Sequence, residues 1–322
     1  MTPARDEPVT VDFPVPLPAV RRGNHWFARS GDVELRLSNL DKVFWPETGY
    51  TKGDLLTYYF NVAPTILPHV AERPLTLKRM PDGVHGAYFY AKDAPSYTPK
   101  WMPVLQAQGE ARTIRFLTVI DLVSLLWVVN LGCIELHPHH TRGPHQEHPS
   151  YAVFDLDPFP PAGIAETKAV AGLVKVSLDN LGLASFPKTS GMTGLQVYVP
   201  LDGGATYEEV RRFVSAVCEL IHRADPATTT MEWDVGRRAG KVFLDSKMNR
   251  AGASLAAPYS VRAEWSAPVS MPFRWDELDS VDPRDHRLDT ALATIAAVGD
   301  AFDEVARGPG QSLRDAVAAL GL

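Results

Sequence analysis

The stretch Val153-Phe154-Asp155-Leu156-Asp157-Pro158 limits the possible fold more than any other part of the chain. Its β-branched and aromatic start and its closing proline predict a buried strand that stops at a site. Side chains alternate along a strand, so Asp155 and Asp157 share one face while Leu156 turns to the other. Neighbouring carboxylates repel and are hard to keep ionised. A divalent cation removes that repulsion, and hard oxygen ligands suit Mg²⁺ or Mn²⁺. An isolated Asp-x-Asp before proline is more simply a turn, with one aspartate capping and the other exposed. The balance shifts because Lys241-Val242-Phe243-Leu244-Asp245 is a second apolar strand ending in a carboxylate. Three strand-borne carboxylates are what a two-metal phosphoryl-transfer centre requires.

The 322 residues are 45% hydrophobic and 22% charged, enough for a large core or two adjoining modules. No apolar run reaches membrane-span length, and Met1-Thr2-Pro3-Ala4-Arg5-Asp6-Glu7 lacks the hydrophobic segment of a secretory signal. Cys133 and Cys218 stand in apolar stretches that read as helical, without Cys or His at ligand spacing. They are expected to be buried thiols. A net charge of −6 argues against a protein that coats nucleic acid but allows a local basic groove.

Along the chain, the Pro-rich, charged start lacks periodicity, and an extended arm is expected over residues 1–30. Val33–Leu37 alternates as a half-buried strand. Thr51 and Asp54 form a capping-box start for a helix carrying Leu55, Leu56, Tyr59, Phe60 and Ala63. Lys42 and Lys52 are either solvated lysines or added charge at a helix N-terminus whose N–H groups receive a phosphate. Lys78 and Arg79 end a strand, and Tyr88, Phe89 and Tyr90 lie beside Lys92. Such interleaving suits base stacking, although strand aromatics more often fill a core. Leu117–Leu131 reads as a buried helix ending at Gly132, followed by a strand that ends in histidines at 137, 139 and 140. His145 and His148 follow; a polar loop fits all of these better than a metal cluster, His137 excepted.

Beyond the Asp-x-Asp, prolines delay the next helix to Ile164, and Gly182 ends it. Ala184–Pro187 and Gly194–Val199 read as strands around the turn Lys188-Thr189-Ser190-Gly191-Met192-Thr193, which can offer N–H groups and hydroxyls to a phosphate. Thr206 and Glu209 start another capped helix. Arg262, on an extended stretch behind Asp245, is either a surface arginine or a fork for a triphosphate. Arg284 to Leu322 is Ala-rich and helical.

Taken together, these motifs resemble the archaeo-eukaryotic primase superfamily, specifically bacterial primase-polymerases of the ligase D polymerase-domain type, as a stand-alone member. The resemblance runs from about Leu37 to Leu278. It rests on Leu-Ser-Asn-Leu-Asp-Lys-Val-Phe-Trp-Pro (37–46), Tyr-Thr-Lys-Gly-Asp (50–54), Leu-Lys-Arg-Met-Pro-Asp-Gly (77–83), Glu-Leu-His-Pro (135–138) and Val-Phe-Asp-Leu-Asp-Pro (153–158). Further on it includes Lys-Thr-Ser-Gly-x-x-Gly-Leu-Gln-Val-Tyr-Val-Pro-Leu (188–201), Val-Phe-Leu-Asp (242–245) and Ala-Ala-Pro-Tyr-Ser-Val-Arg (256–262).

The resemblance implies an α/β (α+β) primase-like catalytic core over 31–322, with two interleaved halves flanking the site. One half is built like an RNA-recognition motif, and C-terminal helices start at about 284. It implies that Asp155 and Asp157 hold both metals, Mn²⁺ or Mg²⁺, and that Asp245 helps hold the one activating the primer 3′-hydroxyl. Ser190, the Gly191 backbone and Arg262 would bind the nucleoside triphosphate, and His137 would contact the nucleotide. Lys42 and Lys52 would grip a 5′-phosphate on gapped or broken DNA. Phe89 and Tyr90 would lie near the template, and Lys78 and Arg79 near either substrate.

Two nucleotide-site positions depart from the pattern. Thr193 stands where many members carry lysine, removing a fixed charge from the triphosphate site, so that nucleotide affinity is either lower or compensated by Lys188. Gln196 stands where most carry histidine; it keeps hydrogen bonding but cannot exchange a proton near neutral pH.

The function implied is a DNA-dependent nucleotidyltransferase that fills short gaps in DNA repair, including non-homologous end joining, and prefers ribonucleotides. Its expected place is the bacterial cytoplasm, at the nucleoid, away from membranes. No Lys-x-Asp-Gly ligase motif occurs, so a separate DNA ligase and a Ku-like end-binding protein are expected partners. Two rivals are a DNA-end-binding module with weak catalysis and a haloacid-dehalogenase-type phosphatase, whose nucleophile strand also opens with Val-Phe-Asp-Leu-Asp.

Overall fold

A computed structural model describes residues 10–108, 112–143 and 146–322. The Asp-x-Asp stretch lies in the strand Tyr151–Pro158, the middle of a five-stranded sheet. From one edge to the other the order is Phe186–Thr189, Leu195–Pro200, Tyr151–Pro158, Val242–Asp245 and Thr229–Thr230. The first four run antiparallel and the last pairs in parallel.

Alternation sorts the two faces. Phe154, Leu156, Leu195, Val197, Val242 and Leu244 face a core completed by Val170, Val174 and Leu178 from the helix Ile164–Asn180, and by Val210, Phe213 and Val217 from the helix Tyr207–Ala224. Both helices therefore cover one face and leave the other to the aspartates. The Thr206 hydroxyl accepts the Glu209 N–H while the Glu209 carboxylate accepts the Thr206 N–H, the reciprocal cap expected from the sequence.

This sheet belongs to one of two compact units, formed by His139–Ser254, Ser270–Asp285 and Asp300–Leu322. The other contains the residues up to Pro138, Leu255–Val269 and His286–Gly299. Its helix Lys52–Val70 starts at the Thr51/Asp54 capping box and packs on the helix Leu122–Asn130. Fully buried Tyr58 and Tyr59 donate to the carbonyls of Tyr259 and Ile134, both at 2.9 Å, so their polar ends are satisfied inside the core. A three-stranded sheet in the order Cys133–Pro138, Leu75–Arg79, Phe89–Ala91 carries the cationic and aromatic residues singled out above.

Several expectations change. Within the supposed arm, Ala19–Arg22 and His25–Ser30 are strands that pair with each other, and His25–Ser30 pairs in turn with Val33–Leu37; backbone pairing overrides their weak side-chain periodicity. Met1–Val9 of that arm lie outside the described residues. The buried helix starts at Leu122, because Thr113–Leu117 is a hairpin strand and Asp121 is the N-cap. Cys133 is on a strand, while Cys218 is on a helix; both are buried and unbridged. The C-terminal stretch is broken at Gly299 and Gly308 into the short helices Ala291–Val298, Asp303–Arg307 and Arg314–Ala319.

Candidate active site

Strand register assembles the first part of the site. Asp155 lies directly opposite Gln196 on one side and Asp245 on the other, and Gln196 lies opposite Lys188. Residues paired across antiparallel strands project to the same face, so Lys188, Gln196, Asp155 and Asp245 form one row across four strands. Asp157 joins the same face two residues beyond Asp155. The Gln196 amide donates to Asp155 Oδ1 at 2.8 Å, fixing the orientation of that carboxylate.

The electrostatics of the row are those of a site built for added positive charge. Burial and then the neighbouring Asp157 push the Asp155 carboxyl well above its ordinary range; Asp245 adds to this, and the Gln196 hydrogen bond and Lys188 oppose it. Burial also raises Asp245, against the Lys247 N–H, which it accepts at 2.9 Å, and the charges of Arg250 and Arg238. Among the described residues no three His, Cys, Asp or Glu side chains are already gathered as a cage. The donor set nevertheless fits a hard dication: oxygen ligands only, a buried Asp155 raised by its two carboxylate neighbours, and one lysine as counter-charge.

Next to this row, the chain turns between Thr189 and Leu195. Ser190 Oγ accepts the N–H groups of Met192 and Gly194 at 3.1 and 3.0 Å, and the Ser190 N–H donates to the Gly194 carbonyl at 2.9 Å. Gly191 has φ +71°, the left-handed backbone such a turn needs. At Gly194 a Cβ would lie 2.4 Å from the Leu156 carbonyl oxygen and 3.1 Å from Asp157 Oδ1. Gly194→Ala is therefore expected to displace the turn or the aspartate strand. A thermal melt should show a loss of about 1–3 kcal/mol, as for overpacking against rigid backbone. Lys188, read from sequence as part of the turn, is instead a fully buried strand residue whose ammonium bonds Ser270 Oγ and the Thr189 carbonyl. Thr193 is in the turn itself.

In the other unit a buried carboxylate gathers cations. Glu135 Oε1 accepts from Lys78 Nζ and from the Ala263 N–H, both at 2.9 Å. Its Oε2 lies 2.8 Å from His137 Nε2 and 3.1 Å from Arg262 Nε. Burial alone would raise this acid, but the His137 hydrogen bond and the charges of Arg262 and Lys78 hold it well below the usual carboxylate range. Burial in turn lowers His137, against the pull of Glu135. Glu135 was not singled out from sequence. Its signal was its place two residues before His137 on a strand, which puts both on one face.

Phe89 and Tyr90, 45% and 53% exposed, are surface residues and not core. The Arg79 guanidinium lies 5.0 Å from the centre of the Phe89 ring, and Tyr90 meets the His137 ring edge-on at 6.0 Å.

The two lysines near the first capped helix differ. Lys42 pairs with Asp82 and donates to the Pro81 carbonyl at 2.9 Å. Lys52 is buried, and its ammonium is held by the Ser38 carbonyl and hydroxyl and by Asn130 Oδ1, at 2.8, 3.0 and 3.0 Å. Burial, with Lys42 and Arg79 nearby, pulls its pKa down to about 8. The helix N-terminus does not offer the N–H groups expected of it. Those of Lys52, Gly53 and Asp54 already donate to the carbonyls of Lys42 and Leu40 and to Thr51 Oγ1. Any anion here would meet lysine charge and not the helix end.

Of the histidines, His140 is fully buried beside the rings of Tyr151 and Tyr207, and His139 is buried too, so neither is in the polar loop expected. His145 lies outside the described residues.

One unit carries a carboxylate row and a glycine turn, and the other carries a cationic and aromatic cluster, a set of groups that fits a nucleotidyltransferase of the polymerase type. A family model for the LigD primase-polymerase domain matches residues 51–302, and the chain belongs to that family. It is 33% identical to the multifunctional non-homologous end joining DNA repair protein LigD of Mycobacterium tuberculosis over 284 residues, 86% of this chain and 37% of that protein. It is 30% identical to the bifunctional non-homologous end joining protein LigD of Bacillus subtilis over 279 residues, 86% of this chain and 45% of that protein. The chain thus spans less than half the length of these relatives. Among solved structures, the polymerase domain of Mycobacterium tuberculosis ligase D in complex with DNA superposes with a TM-score of 0.80 at 33% identity, covering 84% of this chain and 98% of that one. This membership removes the haloacid-dehalogenase reading. No helix of the described residues is long and apolar enough to cross a membrane.

Proposed function

We propose that the chain fills short gaps at broken or gapped DNA in end joining, adding ribonucleotides in preference to deoxyribonucleotides. The observation that carries this reading is the row of Gln196, Asp155 and Asp245 with Asp157 on one sheet face. Asp155, Asp157 and Asp245 would hold two divalent cations, Mn²⁺ or Mg²⁺. When bound, these supply the charge that activates a primer 3′-hydroxyl and stabilises departing pyrophosphate.

The chain's own residues do the positioning. Gln196 orients Asp155, and Ser190 keeps the Gly191 turn closed so that its backbone meets a triphosphate in a fixed shape. Arg262 supplies a triphosphate fork, with Glu135 setting its direction. Burial disfavours the charged form of His137, and its Nε2 is held by Glu135, so Nδ1 is the atom it presents as an acceptor to a sugar hydroxyl. That acceptor supports the ribonucleotide preference. Phe89 and Tyr90 are exposed rings suited to a template base, with Arg79 against Phe89 and Lys78 over the neighbouring Tyr88 ring. A separate ligase and a Ku-like end-binding protein are the proposed partners, in keeping with the end-joining names of the relatives.

Extension of a labelled primer across a short gap tests the reading, with and without a downstream 5′-phosphate and with each metal and each sugar. Metal-dependent extension that favours ribonucleotides and improves with the phosphate is expected. Binding indifferent to metal, without turnover, would replace it with the end-binding module. The phosphate's benefit should also depend on pH. Lys52 is a cation below about pH 8 and loses its charge above it, so the benefit is present at pH 7 and declines as pH rises beyond 8. A bound phosphate holds the proton on and moves the midpoint upward. A flat profile from pH 7 to 9.5 would remove Lys52 from the pocket.

A further inference from the structure

Beside Asp245 lies a cluster of rings and cations with no part in the reading so far. Trp233 is 49% exposed, and Lys247 Nζ sits 3.7 Å from the centre of its ring. Phe243 meets Trp233 edge-on, with ring centres 5.4 Å apart at 84°. Arg238 stacks on Phe243 at 3.6 Å and donates to the carbonyls of Glu232 and Trp233 at 2.8 and 2.9 Å. The tryptophan is thus backed by fixed neighbours while about half of it meets solvent. Lys247 is tied to the site directly, since its own N–H is the donor to Asp245 Oδ1.

The local charge favours a polyanion. Arg238, Lys247 and Arg250 surround the Asp245 end of the strand, and Arg238 and Arg250 both draw the Asp245 carboxyl downward. Against them stand Asp245 itself with the neighbouring Asp155 and Asp157, Glu232, 3.7 Å from Arg237, and Asp234, whose carboxylate accepts the Gly236 N–H. The ammonium at the Trp233 ring is the positive charge set apart from the carboxylate row. An exposed indole with an ammonium at its face matches an unpaired nucleotide, because every base has a π-face and every linkage a phosphate.

We propose that Trp233 and Lys247 form a contact for the unpaired 3′ end of a nucleic-acid strand, the ring taking the terminal base and the ammonium its phosphate. This rests on Asp245 helping to hold the metal that activates the 3′-hydroxyl, which places that strand end beside it. Trp233 and Lys247 are positioning residues for the primer, and the contact is indifferent to base identity.

The test uses the full chain, a labelled single-stranded 3′-hydroxyl oligonucleotide for anisotropy titration, and primer extension. Trp233→Ala should weaken oligonucleotide binding by about tenfold and raise the primer KM similarly. The kcat and the nucleotide KM should stay within about twofold of wild type. Trp233→Phe should recover most of the loss. Lys247→Ala should reduce the slope of log affinity against log salt by about one. Unchanged affinity in Trp233→Ala overturns the proposal. So does a loss that phenylalanine fails to recover and that follows a lowered thermal midpoint. If the wild type binds the oligonucleotide but never extends it, the transferase reading falls while the binding comparison still decides Trp233.

Discussion

Asp157→Ala should abolish nucleotide incorporation, with a loss on the order of a thousandfold or more, while DNA-end binding changes little. As proposed, the carboxylates serve as scaffolding for metal charge, and losing several kcal/mol of transition-state stabilisation has that effect on rate. In the function proposed above, end binding is left to Lys42, Lys78 and Phe89 of the other unit and to Trp233 and Lys247, none of which this substitution removes. Primer extension and anisotropy on the same preparation separate the two effects. The same substitution removes the neighbour that does most, after burial, to raise Asp155. The metal-free variant should therefore melt at a higher temperature than metal-free wild type, since a repulsion is gone. An inactive variant with lower stability would point to misfolding, and retained polymerisation would sink the assignment of the metal centre.

Glu135→Gln is expected to cost about 3–5 kcal/mol of stability, because it leaves Lys78 and Arg262 partly buried without their counter-charge. The thermal midpoint should fall on the order of 10 °C. The nucleotide KM should rise as well, since His137 and Arg262 both take their orientation from this carboxylate. The pH dependence has a definite sign. The folded-state pKa of Glu135 lies well below the unfolded value of 4.5. Its stabilisation is therefore complete above that value and is lost as pH falls from about 5 downward. Wild type should lose stability across that acid range more steeply than Glu135→Gln, and parallel acid profiles would show that Glu135 is no ionic hub.

Strand periodicity is legible wherever one face is buried. The strands around Val153–Pro158 and Val242–Asp245 follow from their apolar, β-branched and aromatic content, and the placing of Asp155 and Asp157 on one face follows from alternation. The caps at Thr51 and Thr206 follow from side chains whose spacing is itself the mechanism. Less could be read where long-range pairing decides. His25–Ser30 has little pattern of its own and becomes a strand because Val33–Leu37 and Ala19–Arg22 pair with it. Lys188 looks like a turn cation until the sheet buries it opposite Gln196. At Lys52 the local rule for helix N-termini failed because carbonyls 10 to 13 residues away in sequence had already taken its N–H groups. Glu135 shows a further limit: a buried acid becomes visible only once the side chains that converge on it, Lys78, His137 and Arg262, are known.

The pairing of Asp155 with Asp245 also acts as an assembly check. Slipping Val242–Asp245 by one residue would turn Leu244 to the carboxylate face and send Asp245 into the apolar core among Phe213 and Val217. A mispaired molecule would thus lose the third carboxylate from that face and bury an unpaired charge in one error, so it would unfold instead of persisting as an inactive look-alike. Fidelity of folding and competence for chemistry are secured by the same alternation, and a population that survives a mild heat challenge should be uniformly able to load metal.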